Sequence, residues 1–217
     1  MSILTAMLLF LLTGGWVSGA AAAAPEAYVP LQPGLTWEFQ QKIFDLKNRT
    51  LLAEAKAVKK NQAPVELKGV KGYPQVYTFA PAGQGAPQET VSYIAQDQSG
   101  FFVFARKAGN QGEPQLLEEK FYILKFPLEK GSAWQQPAEG LLIKNTIEDT
   151  AATVQVPAGA FQNCILIKKL YFTGADSKTP VQEALFWFAP GVGSVKVHMK
   201  HFDENKEILL ELVSFRK

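Results

Sequence analysis

Apolar and polar residues alternate along most of this chain. In "LLIKNTIE", Leu141, Ile143, Asn145 and Ile147 fall on one face, and Leu142, Lys144, Thr146 and Glu148 on the other. "VKVHMK" does the same, with Val195, Val197 and Met199 opposite Lys196, His198 and Lys200. A period of two is that of a strand with one side buried and one wet. Turn-forming clusters punctuate these runs: "DQSG" at 97–100, "AGNQG" at 108–112, "PAG" at 157–159, "TGADSKTP" at 173–180 and "DEN" at 203–205. The pattern predicts strands near 35–45, 74–80, 89–96, 101–107, 115–125, 141–148, 151–156, 161–173, 181–189, 194–202 and 206–215. One segment, "TLLAEAKAVKKN" (50–61), reads two ways. Leu51, Leu52, Ala55 and Val58 make a helical stripe, whereas Ala53, Ala55 and Ala57 alternate as in a strand. Its all-β surroundings favour the strand. The predicted class is mainly β: a single curved antiparallel sheet or partly open barrel, with room for one or two short helices.

Two segments share apolar-Pro-Leu-x-x-Gly-x-x-Trp. Pro30, Leu31, Gly34 and Trp37 align with Pro127, Leu128, Gly131 and Trp134. Pro stiffens the approach, Gly permits a positive φ, and Trp anchors the beginning of a strand in the core. Each unit is therefore expected to start a strand. "EALFWFAPGVGSVK" (183–196) puts Leu185, Trp187 and Ala189 on one face and Phe186 and Phe188 on the other, a strand covered on both sides. Its glycines serve the turn; the strand-then-helix context and the Lys-Ser/Thr of a phosphate loop are missing.

Composition adds the compartment. The first charged side chain is Glu26; before it come an apolar run, Ile3 to Leu12, and small residues up to Ala24. This reads as a secretory leader over 1–24, cut after Ala20 or Ala22, ahead of a single β-rich domain at 25–217. That domain, about 190 residues, can bury a full core. The one cysteine, Cys164, is expected to be a small buried hydrophobe, and no cysteine near the leader can carry a lipid. Charges are balanced at +2 and scattered, which gives nucleic acid no footprint. Aromatics at 12%, with 15 Phe, suit a large apolar interior.

"VPAGAFQNCILIKK" and "EALFWFAPGVGSVK" together resemble a group of uncharacterised bacterial envelope proteins. Their shared pattern is matched here by Val156, Pro157, Ala158, Gly159, Phe161, Asn163 and Cys164, then by Trp187, Ala189, Pro190, Gly191, Val192 and Gly193. The resemblance covers 126–200 well and the N-terminal half loosely. It implies a curved, partly open antiparallel barrel similar to that of periplasmic lipoprotein carriers. It carries over no catalytic residue. Many members of the group are lipoproteins, and this chain departs from them in lacking the lipid-bearing cysteine.

Candidate chemistry is sparse. His198 and His201 lie three apart, so on a strand they point to opposite faces and cannot share a metal. His198 is expected on the solvent face and Trp187 in the core. "DENKE" (203–207) reads as a charged hairpin tip, and no Gly-x-Ser-x-Gly elbow occurs. No catalytic, cofactor-binding or metal-ligating residue is predicted, no cofactor is expected, and ligand contacts stay unassigned. The expected function is non-enzymatic: an exported, periplasmic or secreted protein that is not a lipoprotein and binds a lipid, a hydrophobic small molecule or an envelope protein in a half-barrel. Peripheral membrane association is compatible with this, and nucleic acid is not an expected partner. The alternative is a structural or assembly component of the envelope whose apolar faces are only core.

Overall fold

The computed structural model describes residues 23–81, 86–109, 112–138 and 140–217; the expected leader falls outside them, apart from its last two residues. Among the described residues there are thirteen strands and one four-residue 3-10 turn, Pro25–Tyr28. The strands are β1 (Thr36–Asp45), β2 (Leu51–Asn61), β3 (Val65–Leu67), β4 (Val70–Pro81), β5 (Gln88–Asp97), β6 (Gly100–Ala108), β7 (Gln115–Lys125), β8 (Ala133–Ala138), β9 (Leu141–Val156), β10 (Gly159–Phe172), β11 (Gln182–Ala189), β12 (Gly193–His201) and β13 (Lys206–Arg216). They form one antiparallel sheet nearly closed into a barrel, in the order β7-β6-β5-β4-β2-β1-β13-β12-β11-β10-β9-β8, with β3 beside β4.

That order is the chain order cut and rejoined. Two meanders, β1–β7 and β8–β13, meet where β1 pairs with β13, from Thr36 opposite Arg216 to Asp45 opposite Lys206. Their other edges, β7 and β8, face each other across a seam. Gln136 of β8 bridges it: its Oε1 accepts from Tyr122 N–H at 3.0 Å, and its Nε2 donates to Tyr122 O at 3.2 Å. A buried side-chain amide thus stands in for a ladder of backbone bonds between the two edges.

The segment 50–61 is strand β2. Its alanines explain the choice: Ala55 and Ala57 are buried while Glu54, Lys56 and Val58 are exposed, a period of two. Three expectations need correction. The predicted strands at 141–148 and 151–156 are one long strand, β9, because irregular pairing with β10 absorbs the polar Asp149 and Thr150 without ending the ladder. β3 was not foreseen, whereas β8, "AWQQPA", starts at the second Trp unit as expected. Trp187 is half-buried, packed against the core cluster rather than within it, with the Lys196 ammonium 5.9 Å from its ring centre.

The barrel is filled from within. Trp37, Phe39, Ala57, Val154, Val156, Cys164, Val195 and Leu212 pack as one cluster. In it the distal half of the β9–β10 hairpin packs against β1, β12 and β13, and Ala158 N–H at its tip donates to Leu212 O at 2.9 Å. The segment before β1 makes a second filling. Tyr28 and Val29 are buried among Phe101, Leu124, Trp134, Ile167 and Phe188, residues from both meanders. Tyr28 Oη donates to Asn163 O at 3.1 Å, Gly191 N–H donates to Ala27 O at 2.8 Å, and Asn61 Nδ2 donates to Pro30 O at 2.9 Å. These bonds tie the strap to β10, the β11–β12 turn and β2.

Candidate functional site: the barrel interior

Which side chains face inward follows from register. On β1, Trp37, Phe39 and Gln41 alternate to one side. Gln41 lies opposite Leu210, Leu210 opposite Val197, Val197 opposite Phe186, and Phe186 opposite Ile167. Directly paired residues share a face, so all of these point the same way. Lys59, opposite Trp37, joins them, and so does Lys169, two residues beyond Ile167. Two lysines therefore lie on the buried face of the sheet.

Lys59 borders a cavity of about 170 Å³. Its other walls include Trp37, Ile94, Ile123, Phe186 and Phe188. The strap residues Tyr28, Val29 and Pro30 close one side. The Lys59 ammonium sits 4.3 Å from the Trp37 ring centre and 5.6 Å from that of Phe39. Burial pushes its pKa down to about 8. Trp37 does not compete for a guest in the cavity, because its Nε1–H donates to Val192 O at 2.7 Å. Gln75, also on the wall, is held by its own bond to Asn61 Oδ1 at 2.9 Å.

Lys169 is 3% exposed, lies 4.8 Å from the ring centre of Phe186 and 5.4 Å from that of Phe121, and is likewise pushed down to about 8 by burial. It belongs to a polar row: Trp134 on β8 is opposite Asn145 on β9, which is opposite Lys169 on β10. In that row Trp134 Nε1 and Asn145 Oδ1 are buried and have no hydrogen-bond partner among the described residues. Neither lysine has a carboxylate in ion-pair range among the described residues.

Neither lysine was singled out in the sequence. The signal was parity. In "AEAKAVKKN", Lys59 shares the parity of Ala55 and Ala57, and in "ILIKKLYF", Lys169 shares that of Ile165 and Ile167.

The remaining candidates lie away from the Lys59 cavity. His198 is on the outward face, as expected, but it is half-buried: its Nε2 is 2.5 Å from Glu207 Oε1, and Glu207 also pairs with Arg49 from the β1–β2 turn. Burial raises the Glu207 pKa, and its bonds to His198 and Arg49 outweigh this and hold it below the usual value. His201, Asp203 and Glu204 cluster at the β12–β13 turn, where both acids are exposed and Glu204 is paired with Lys206. Cys164 is fully buried, and its thiol is pushed up to about 11, which leaves it protonated and unreactive at neutral pH. A larger trough of about 750 Å³ crosses β13, β1, β2 and β4. Glu38, Glu54 and Lys56 line it beside Phe39, Ala55 and Ala57, a more charged lining than that of the Lys59 cavity.

No family model matches this chain, and no curated protein is similar to it. Several solved structures are weakly similar to it. A candidate exported protein with a YmcC-like fold from Bacteroides fragilis NCTC 9343 is 16% identical, with a TM-score of 0.48 over 86% of this chain and 97% of that one. A candidate lipoprotein from Parabacteroides distasonis ATCC 8503 is 14% identical, with a TM-score of 0.47 over 87% and 98%. A β-barrel-like protein of domain of unknown function DUF1849 from Brucella abortus is 11% identical, with a TM-score of 0.45 over 85% and 97%. Likenesses at this level carry nothing about activity or ligand.

Proposed function

We propose that this chain is an exported, non-enzymatic binding protein that takes a small apolar molecule, or the end of a longer one, into its barrel. The observation that carries this reading is the cavity beside Phe186 and Phe188, apolar on most of its walls and closed on one side by the strap. A space of about 170 Å³ is near that of engineered cavities that hold benzene. The inventory of polar side chains supports the non-enzymatic part. The one buried thiol is protonated, and the histidine–glutamate pair is on the outside, engaged by Arg49.

The test is native mass spectrometry of protein purified gently from its own host, beside an Ile94→Phe variant that narrows the cavity. The expected result is an adduct on the native chain that the variant lacks. Bare protein in repeated preparations, together with no binding of added benzyl alcohol, would overturn the reading. One observation favours a second reading, an envelope component without a ligand: the strap and the β9–β10 hairpin already occupy most of the interior. On that reading Ile94→Phe raises stability and changes nothing else.

A further inference from the structure

Resting on the interior as a binding site, we propose that the molecule it takes is an anion: a carboxylate or phosphate monoester on a benzene-sized apolar body, with its charged oxygens on the Lys59 ammonium. An ammonium removed from water without a counter-charge is costly, and the cost is met by pairing or by neutralisation. Contact with the faces of Trp37 and Phe39 offsets part of it. The neighbouring polar groups carry no counter-charge: the Trp37 Nε1–H is itself a donor, held by Val192 O, and Gln75, tied to Asn61 through its Nε2, is a neutral amide. Lys59 therefore presents donors to the cavity and finds no acceptor of matching charge among the described residues. A guest anion would supply one, in a charge-assisted bond about twice as strong as a neutral one.

The rest of the wall selects the body of the guest. Trp37, Phe186 and Phe188 offer ring faces, and the Phe186 and Phe188 rings stack with centres 6.4 Å apart. A flat apolar group packs onto such faces, whereas an inorganic anion gains nothing from them. Lys169, on the far side of Phe186, adds a second positive charge to the same interior without bordering the cavity. It strengthens the field for any anion and is the natural control.

The experiment titrates the full chain with benzoate, phenyl phosphate and benzyl alcohol by isothermal calorimetry. Native protein is expected to bind at least one of the two anions tenfold or more tighter than the alcohol, and the stronger of the two separates a carboxylate from a phosphate source. Lys59→Met should bring the ratio close to one while the alcohol still binds, and Lys59→Arg should keep it. Lys169→Met should lower the ratio by less than threefold. Equal binding of anions and alcohol to the native chain overturns the inference and leaves the cavity reading standing. Failure of all three compounds to bind brings down the cavity reading and this inference with it. Loss of preference in Lys169→Met but not in Lys59→Met overturns the assignment to Lys59. Near-ultraviolet circular dichroism of each variant separates loss of the site from loss of the fold.

Discussion

The two Pro-Leu-x-x-Gly-x-x-Trp units fold alike and end differently. Gly34 and Gly131 both sit at φ 88°. Gly34 N–H donates to Asn61 O, and Asn61 N–H donates to Leu35 O; Gly131 N–H donates to Ile147 O, and Ile147 N–H donates to Ser132 O. Each unit thus opens a hairpin, β1–β2 or β8–β9, with the same pair of backbone bonds. The indoles part company. Trp37 is fully buried, its N–H bonded to Val192 across the barrel, with Lys59 opposite. Trp134 lies on the strand that borders the seam, its N–H without a partner among the described residues, with Asn145 opposite. The repeat specifies how a strand begins. What the tryptophan then does depends on where that strand lies: the first unit joins the two meanders, and the second lines an edge.

The largest effect should come from exchanging the indoles. Trp37→Ala is expected to destabilise by about 3–5 kcal/mol, the usual range for emptying a large core site, and to strand the Val192 carbonyl as well. Trp37→Phe and Trp134→Phe draw the contrast more finely. The first breaks a buried hydrogen bond, whereas the second removes an unsatisfied donor, so the first should cost about 1–2 kcal/mol more. Urea midpoints measure both, and equal losses would mean that the Val192 bond contributes nothing.

The next effect is pH dependence. Lys59 and Lys169 have folded pKa values of about 8 against an ordinary 10.5. Between those limits the unfolded chain holds protons that the folded chain has released, so stability rises with pH. The gap corresponds to a ceiling of about 3 kcal/mol for each lysine. Above pH 10 the slope should reverse, because burial pushes Tyr171 up to about 12, and the unfolded chain then loses its phenolic proton first. Melting temperatures from pH 7 to 10 should climb for the native chain and flatten stepwise in Lys59→Met and Lys169→Met. A native profile that is flat or falls over this window would contradict the burial of the two ammonium groups.

Smaller again is the pair Gly34→Ala and Gly131→Ala. A Cβ at either position meets nothing within 4 Å, so the cost is backbone strain alone, about 1–2 kcal/mol and equal in the two units. Unequal losses in thermal melts would show that the units are not the same device. The smallest global effect should follow Gln136→Leu. Its signature is local: faster amide exchange at Tyr122 with little change in midpoint.

Much of this was legible in the residues. Period two marked the faces of β9 and β12, and Ile143, Asn145, Ile147, Val195 and Val197 are buried as the pattern requires. The repeat marked two strand beginnings. What escaped was long-range. β9 runs through Asp149 and Thr150 because β10 adapts to it, and no local signal encodes a partner strand's irregularity. His198 looked solvated because Glu207 and Arg49 reach it from other strands and turns. The lysines were visible as parity, but a lysine on an apolar parity ordinarily ends a strand's burial, and only the closed sheet puts these two inside.

The seam has a further consequence. Because β1 is stitched to β13, the two ends of the described fold are held together by a full ladder, while mid-chain neighbours β7 and β8 are joined by a short covalent link and one side-chain amide. The polypeptide is in effect a ring with its natural break in the middle. Severing the link between 126 and 132 should leave two fragments that reassemble when expressed together. New termini placed there, with the old ones fused, should give a circular permutant that still folds.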